Sequence, residues 1–173
     1  RSLWMSRIAP EKRIDVLKDL ASLLPDREFH VYGAVLKVSE GFDPRLQDHA
    51  NIHRKGEFER LEDIPMGDFD SYVFTSRYEG MPLSVLEVVR FGLPVVAPDV
   101  GGIGDLIDGE TGWLVSSTAD AEEYASALAE IEQAPDEAER RVKNAQARLA
   151  DVYSQRAFRR KLESIPGYLQ HRP

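Results

Sequence analysis

Ser76-Arg77-Tyr78-Glu79-Gly80-Met81-Pro82-Leu83-Ser84-Val85-Leu86-Glu87 follows directly on Ser71-Tyr72-Val73-Phe74-Thr75. The second run is short, β-branched and aromatic, and it reads as a buried strand. Gly80 then allows a tight turn, and Pro82 suits the first position of a helix, where its missing N–H costs nothing. Glu79 is therefore expected in a strand-to-helix turn, and Glu87 two turns into the helix that follows.

Placed at the helical period, Leu83, Val85, Leu86, Val88 and Val89 cover most of the circumference, leaving a narrow wedge with Ser84, Glu87 and Phe91. A helix this apolar is expected to be largely buried, and an ionised Glu87 within it to need partners. The simplest partner is Arg90 at i,i+3. The first N–H groups, from Met81 to Val85, are expected to be free and to face a ligand with the positive end of the helix dipole.

The same alternation of strand and helix extends in both directions. Ser2 to Ser6 reads as a strand, followed by a loop from Arg7 to Lys12. Ile14, Leu17, Leu20, Ala21 and Leu24 recur at helical spacing up to Pro25. Glu28 to Tyr32 and Asn51 to His53 read as strands, separated by a weakly patterned surface loop from Ala34 to His49. Leu61 to Pro65 reads as a brief helix. Pro94 to Ala97 and Gly112 to Val115 are further strands, and 119–133, 136–152 and 154–168 are helices punctuated by Pro135 and Pro166. The pattern predicts an α/β fold, a Rossmann-like parallel sheet with helices on both faces and right-handed crossovers. Ligands bind such sheets beyond the carboxyl ends of the strands. Arg7, Lys12, Gly33, Gly56, Glu79 and Gly101 all follow strands and are expected to gather there.

Composition narrows the function. The chain has 173 residues, enough for one domain with its own core. It has no cysteine, which removes disulfides and thiolate chemistry and is compatible with a cytoplasmic setting. No run has the length to span a bilayer, and none reads as a signal peptide. The formal charge of −8 argues against nucleic acid as a partner. Positive charge is nevertheless concentrated at Arg7, Lys12 and Arg13, which suits one small anion.

Two glutamates separated by seven residues, Glu79 and Glu87, with Gly80 after the first and Phe91-Gly92-Leu93-Pro94-Val95-Val96 beyond the second, resemble the nucleotide-sugar motif of retaining GT-B glycosyltransferases, family 4 type. Arg7-Ile-Ala-Pro-Glu-Lys12, Val100-Gly-Gly-Ile-Gly-Asp105 and Thr111-Gly-Trp-Leu-Val115 extend the resemblance in the family's order. It implies that residues 1–173 form a single donor-nucleotide-binding domain, the C-terminal half of a GT-B fold. The N-terminal acceptor-binding domain would be absent from this chain, with Arg1 a cut point. Any membrane-surface association would run through that missing half, and this portion alone is expected to be inactive as a hexosyltransferase.

The resemblance also assigns roles. Arg7 and Lys12 would hold the donor diphosphate, Glu79 would approach the donor sugar, and Glu87 would accept hydrogen bonds from both ribose hydroxyls. Gly80, Met81, Pro82, Leu83 and Ser84 would line the nucleotide, with Gly33 and Gly101 allowing close backbone approach. The implied substrate is a nucleoside diphosphate sugar such as a UDP or GDP sugar, with no cofactor and no metal. Gly33-Ala34-Val35 is shorter in glycine than the family's turn, and Gly104-Asp105 stands where a proline and a glutamate are usual.

Other readings remain beside this one. An epimerase-type half-domain would bind the same donor without transfer, and a non-catalytic phosphate-binding or interaction domain could share the fold. Asp68-Phe-Asp70 has the aspartate–x–aspartate form of metal-dependent sugar transferases, but it precedes its strand and falls at the wrong end of the sheet. His30, His49, His53 and His171 show no ligand spacing, and His30 and His53 read as strand residues.

Overall fold

The computed structural model describes residues 1–35, 45–46 and 48–166. Within these residues six strands form one parallel sheet: β1 (Ser2–Met5), β2 (Phe29–Tyr32), β3 (Ile52–Gly56), β4 (Ser71–Val73), β5 (Val95–Pro98) and β6 (Trp113–Val115). Their order is β3-β2-β1-β4-β5-β6, so the winding reverses between β1 and β4. Among the described residues five α-helices accompany them: α1 (Ile14–Leu23), α2 (Leu83–Phe91), α3 (Ala121–Gln133), α4 (Pro135–Val152) and α5 (Gln155–Glu163).

The strands are short; the central ones, β1, β4 and β5, are buried on both faces, which is why they read as near-continuous apolar runs, whereas the edge strand β3 is largely exposed. In β1, Trp4 points to one face, against Ile14, Leu17, Tyr124 and Leu128 of α1 and α3. Leu3 and Met5 point to the other, with Val85, Val88 and Val89 of α2 and Ala145 of α4. This period-two division produces the expected helices on both faces. The surface loop expected from Ala34 to His49 lies mostly outside the described residues, as does the end of the last helix beyond Pro166.

Two expectations for α2 need correction. Pro82 is the residue before the helix, with φ −71° and ψ 124°, rather than its first member. The helix is also not largely buried. Only Val85, Val88 and Val89 are buried, whereas Leu83 is 72% exposed. A nine-residue helix lying on a sheet has one covered side, and here its apolar residues exceed what that side can hold.

The N-terminal edge of the sheet is held by Arg27, which is buried between β1, β4 and α3. Its Nε donates to Ser2 Oγ at 2.7 Å and its Nη2 to Ser71 Oγ at 2.8 Å, and it pairs with Asp70 and Glu132. Asp70 of the aspartate–x–aspartate string is thus engaged at the edge opposite the strands' carboxyl ends. Replacing Arg27 with Met keeps the apolar stem and removes the donors. Asp70 and Glu132 are exposed and can rehydrate, so Arg27→Met is expected to cost about 1.5–3 kcal/mol rather than the larger cost of breaking a fully buried pair. Urea unfolding measures it, with a lowered midpoint at an unchanged slope.

Candidate functional site

The reversal between β1 and β4 opens a crevice at the carboxyl edge of the sheet, where the two following loops diverge. Hydrogen bonds tie these loops to one another. Trp4 Nε1 donates to Thr75 Oγ1 at 3.0 Å, and Thr75 Oγ1 donates to the Lys12 carbonyl at 2.6 Å. The Arg77 N–H donates to the Glu11 carbonyl at 2.8 Å. Tyr72 supports the floor, its hydroxyl bonded to the Met5 carbonyl and to Ser84 Oγ, both at 3.1 Å. Burial pushes the Tyr72 phenol's pKa upward, so it stays a neutral donor.

The resulting cleft has a volume of about 570 Å³ and draws on the ends of β1 to β4 and the start of α2. Arg7, Lys12, Gly33, Glu79, Met81, Pro82, Leu83, Ser84 and Glu87 all line it. Nine of the residues singled out from the sequence therefore converge, although they come from three separate segments. Its size suits a ligand as large as a nucleotide.

Its charges are arranged unequally. Lys12 Nζ forms an ion pair with Glu79, and both side chains are little exposed. An ammonium carries three donors, so this pairing leaves Lys12 others for an anion. Arg7 is exposed on the rim. Glu87 is exposed toward solvent and lines the cleft. Among the described residues no ion pair joins it to Arg90, which removes the simplest account of that carboxylate.

The start of α2 is uncapped by any side chain and has no acidic residue in its first turn. The expectation of five free N–H groups was too generous. Pro82 has none, and the Val85 N–H donates to the Pro82 carbonyl at 3.1 Å. Among the described residues, none accepts a hydrogen bond from the N–H of Met81, Leu83 or Ser84, which stand at the positive end of the helix dipole.

Three other expectations change. Arg13 adopts a left-handed conformation and turns away, its Nη1 donating to the Ala119 carbonyl at 3.0 Å, so it adds no charge to the cleft. Gly80 and Gly101 do not line the cleft. Gly80 has negative φ and open space where a Cβ would stand, so neither a strained turn nor crowding requires glycine there. Gly101 has φ +58°, and a Cβ would collide with the Glu79 and Gly80 carbonyls. It buttresses that loop from behind, alongside a 2.6 Å bond from the Gly102 N–H to the Gly80 carbonyl. Gly33 lines the cleft, yet its glycine is required by the Ser6 carbonyl, which a Cβ would strike.

Sequence reading missed Ser6, Glu57 and Phe58, which also line the cleft. Phe58 stands edge-on to Tyr32, with ring centroids 6.3 Å apart. Glu57 and Phe58 follow β3 directly, so the rule that picked out Gly56 would have found them had it been carried two residues further.

The sequence profile of the family described as Glycosyl transferases group 1 matches residues 1–133. The O-antigen biosynthesis glycosyltransferase WbnH of Escherichia coli is 30% identical over 118 residues, 68% of this chain and 34% of its own. A variant of TarM from S. aureus, solved in complex with UDP, fondaparinux and alpha-GlcNAc-glycerol, superimposes with a TM-score of 0.77 at 26% identity, over 92% of this chain and 34% of that one. The C-terminal domain of LpcC, a glycosyl transferase group 1 family protein of Francisella tularensis, shares the fold at a TM-score of 0.73 and 20% identity, covering 89% of this chain and 86% of that domain. The chain spans about a third of the length of WbnH and of a second curated Escherichia coli relative. No helix among the described residues is long and apolar enough to cross a membrane. With a profile that covers most of its length, the chain belongs to the glycosyl transferases group 1 family.

Proposed function

We propose that this chain binds the nucleoside diphosphate sugar for a retaining, metal-independent glycosyl transfer, as the C-terminal half of a GT-B enzyme of family 4 type. The observation that carries the reading is the Glu87 carboxylate, which has no ion pair among the described residues and shares one cleft with Arg7, Lys12 and the uncapped start of α2. That set matches the parts of a nucleotide sugar. A carboxylate accepts two ribose hydroxyls at once. Arg7 grips phosphate oxygens through its fork, while Lys12 and the free N–H groups of Leu83 and Ser84 add charge and direction. The TarM variant bound to UDP favours uridine as the nucleoside. Alignment with the LpcC C-terminal domain favours the C-terminal placement, with the acceptor held by a domain outside these residues.

Transfer breaks the bond between the anomeric carbon of the sugar and the β-phosphate oxygen, and the electron pair departs with the diphosphate. Arg7, Lys12 and the helix N–H groups offset the charge that develops there, a fixed electrostatic contribution of the kind a divalent ion supplies elsewhere. Glu79 holds the Lys12 ammonium beside the leaving group and lies where it can approach the donor sugar. The acceptor hydroxyl then bonds to the anomeric carbon from the face the diphosphate leaves, and its proton passes to the departing phosphate oxygen.

Calorimetric titration of the chain with UDP is expected to show one saturable site, unchanged by EDTA. No binding, or binding that requires magnesium, would overturn the reading.

Arg7→Ala is expected to weaken UDP far more than uridine, by about 1.5–3 kcal/mol for a lost charged hydrogen bond. Equal losses for the two ligands would mean that Arg7 does not act on the diphosphate.

Glu87→Ala is expected to lower UDP affinity about tenfold or more, close to 1.4 kcal/mol, and to cost less for an analogue lacking both ribose hydroxyls. Stability should hold, since an exposed helical position gains a good helix former. A coupling energy of zero across the cycle formed by the two ligands and the two proteins would remove Glu87 as the ribose acceptor.

A further inference from the structure

At the opposite end of the same strands lies a second group of side chains that the donor reading does not use. Residue i of β2 stands beside residue j of β3, and the register pairs His30 with His53. Glu28, two positions before His30, extends over the same face. His30 Nε2 lies 3.5 Å from Glu28 Oε2, and His53 Nε2 lies 3.8 Å from Glu28 Oε1. The two imidazoles meet edge-on with centroids 5.0 Å apart, and one ligand atom from each of the three residues lies within 4.8 Å of the others.

The geometry points to a zinc site formed by Glu28, His30 and His53. Zinc bonds of roughly 2.0–2.1 Å in a tetrahedron place neighbouring ligand atoms about 3.3–3.4 Å apart. The two nitrogen–oxygen separations, 3.5 Å to one carboxylate oxygen and 3.8 Å to the other, lie somewhat above that value. What remains is a small swing of the His53 ring, which is free to make it because the side chain is 38% exposed on an edge strand.

Two imidazoles and one carboxylate favour a borderline transition metal over the all-oxygen cations magnesium and calcium. Arg1 Nε donates to Glu28 Oε2 at 2.7 Å, which orients the carboxylate as outer hydrogen bonds do for metal ligands. Phe69 packs edge-on against His30 at 5.3 Å and closes the inner side. The outer side faces solvent, which supplies the fourth ligand as water.

The site is separate from the donor cleft. His30 is three residues before Gly33, roughly 10 Å along the strand at 3.3 Å per residue. An ion there fastens the edge strand β3 to β2 and takes no part in offsetting the diphosphate.

Chelator-treated chain titrated with zinc sulfate is expected to take up one equivalent, and cobalt(II) in its place to show the strong visible bands of tetrahedral coordination. Magnesium should not compete. His30→Gln and His53→Gln should each weaken zinc about tenfold or more, the scale on which even outer-shell losses act. Zinc should raise the melting temperature of the unsubstituted chain but not that of His53→Gln. Should His30→Gln fail to fold, as circular dichroism will show, the exposed His53→Gln carries the test alone. Absence of saturable uptake, competition by magnesium, or uptake that survives both substitutions would overturn the site. Because UDP binding is measured in EDTA, failure here and failure of the donor reading are seen separately.

Discussion

The hydrogen-bonded tie between the loops that follow β1 and β4 is the constraint on which the rest of the site depends. Where the sheet reverses, neighbouring strands send their chains in opposite directions, and nothing in the sheet itself holds the ends at a fixed separation. The relay from the Trp4 indole through the Thr75 hydroxyl to the Lys12 carbonyl does so, reinforced by the Arg77 N–H on the Glu11 carbonyl. Trp4 and Thr75 are buried, so a lost partner would leave a polar atom unsatisfied, at a cost of about 1–3 kcal/mol. The crevice is held open by groups that cannot cheaply let go.

On that frame the charges gain their meaning. An acidic chain of net charge −8 concentrates a few cations and free N–H groups at one point. Lys12 is balanced by Glu79 rather than left alone, which fixes an otherwise flexible ammonium at low cost in an environment of reduced dielectric. Glycines behind the site do structural work. Gly101 and Gly102 hold the Glu79–Gly80 carbonyls in place, and Gly33 lets the β2 loop pass the Ser6 carbonyl. The loop that presents Glu79 is therefore rigid because of contacts on its far side.

The two ends of the sheet carry different burdens. At the carboxyl edge, polar atoms are left available to a ligand. At the other edge, Arg27 gathers Ser2, Ser71, Asp70 and Glu132 into one satisfied network, and Asn51 Nδ2 donates to the carbonyls of Ala21, Leu24 and Arg27. Polar pairing is closed around Arg27 and Asn51 at this edge and left open at the carboxyl edge.

Much of this was legible in the chain itself. Apolar runs of strand length alternating with helical periodicity are local signals, and they specified six strands, their parallel pairing and the edge at which Arg7, Lys12, Gly33 and Glu79 would meet; the family resemblance, not periodicity, pointed to Glu87. Local chemistry does not say which way a side chain turns, and there the reading failed. Arg13, left-handed in its backbone, donates instead to the Ala119 carbonyl in the segment before α3. Leu83 stayed exposed because a short helix has only one covered side. Gly101 owes its glycine to the Glu79 and Gly80 carbonyls, distant in sequence, whereas nothing around Gly80 demands one. Glu28, His30 and His53 carried no ligand spacing, because what joins them is the register of β2 on β3, and register is fixed by the whole sheet rather than by any one strand. The sequence alone determined the elements, their order and the strand ends where chemistry collects. Tertiary structure alone decided which side chains at those ends touch, since that depends on cross-strand register and on atoms packed from other parts of the chain.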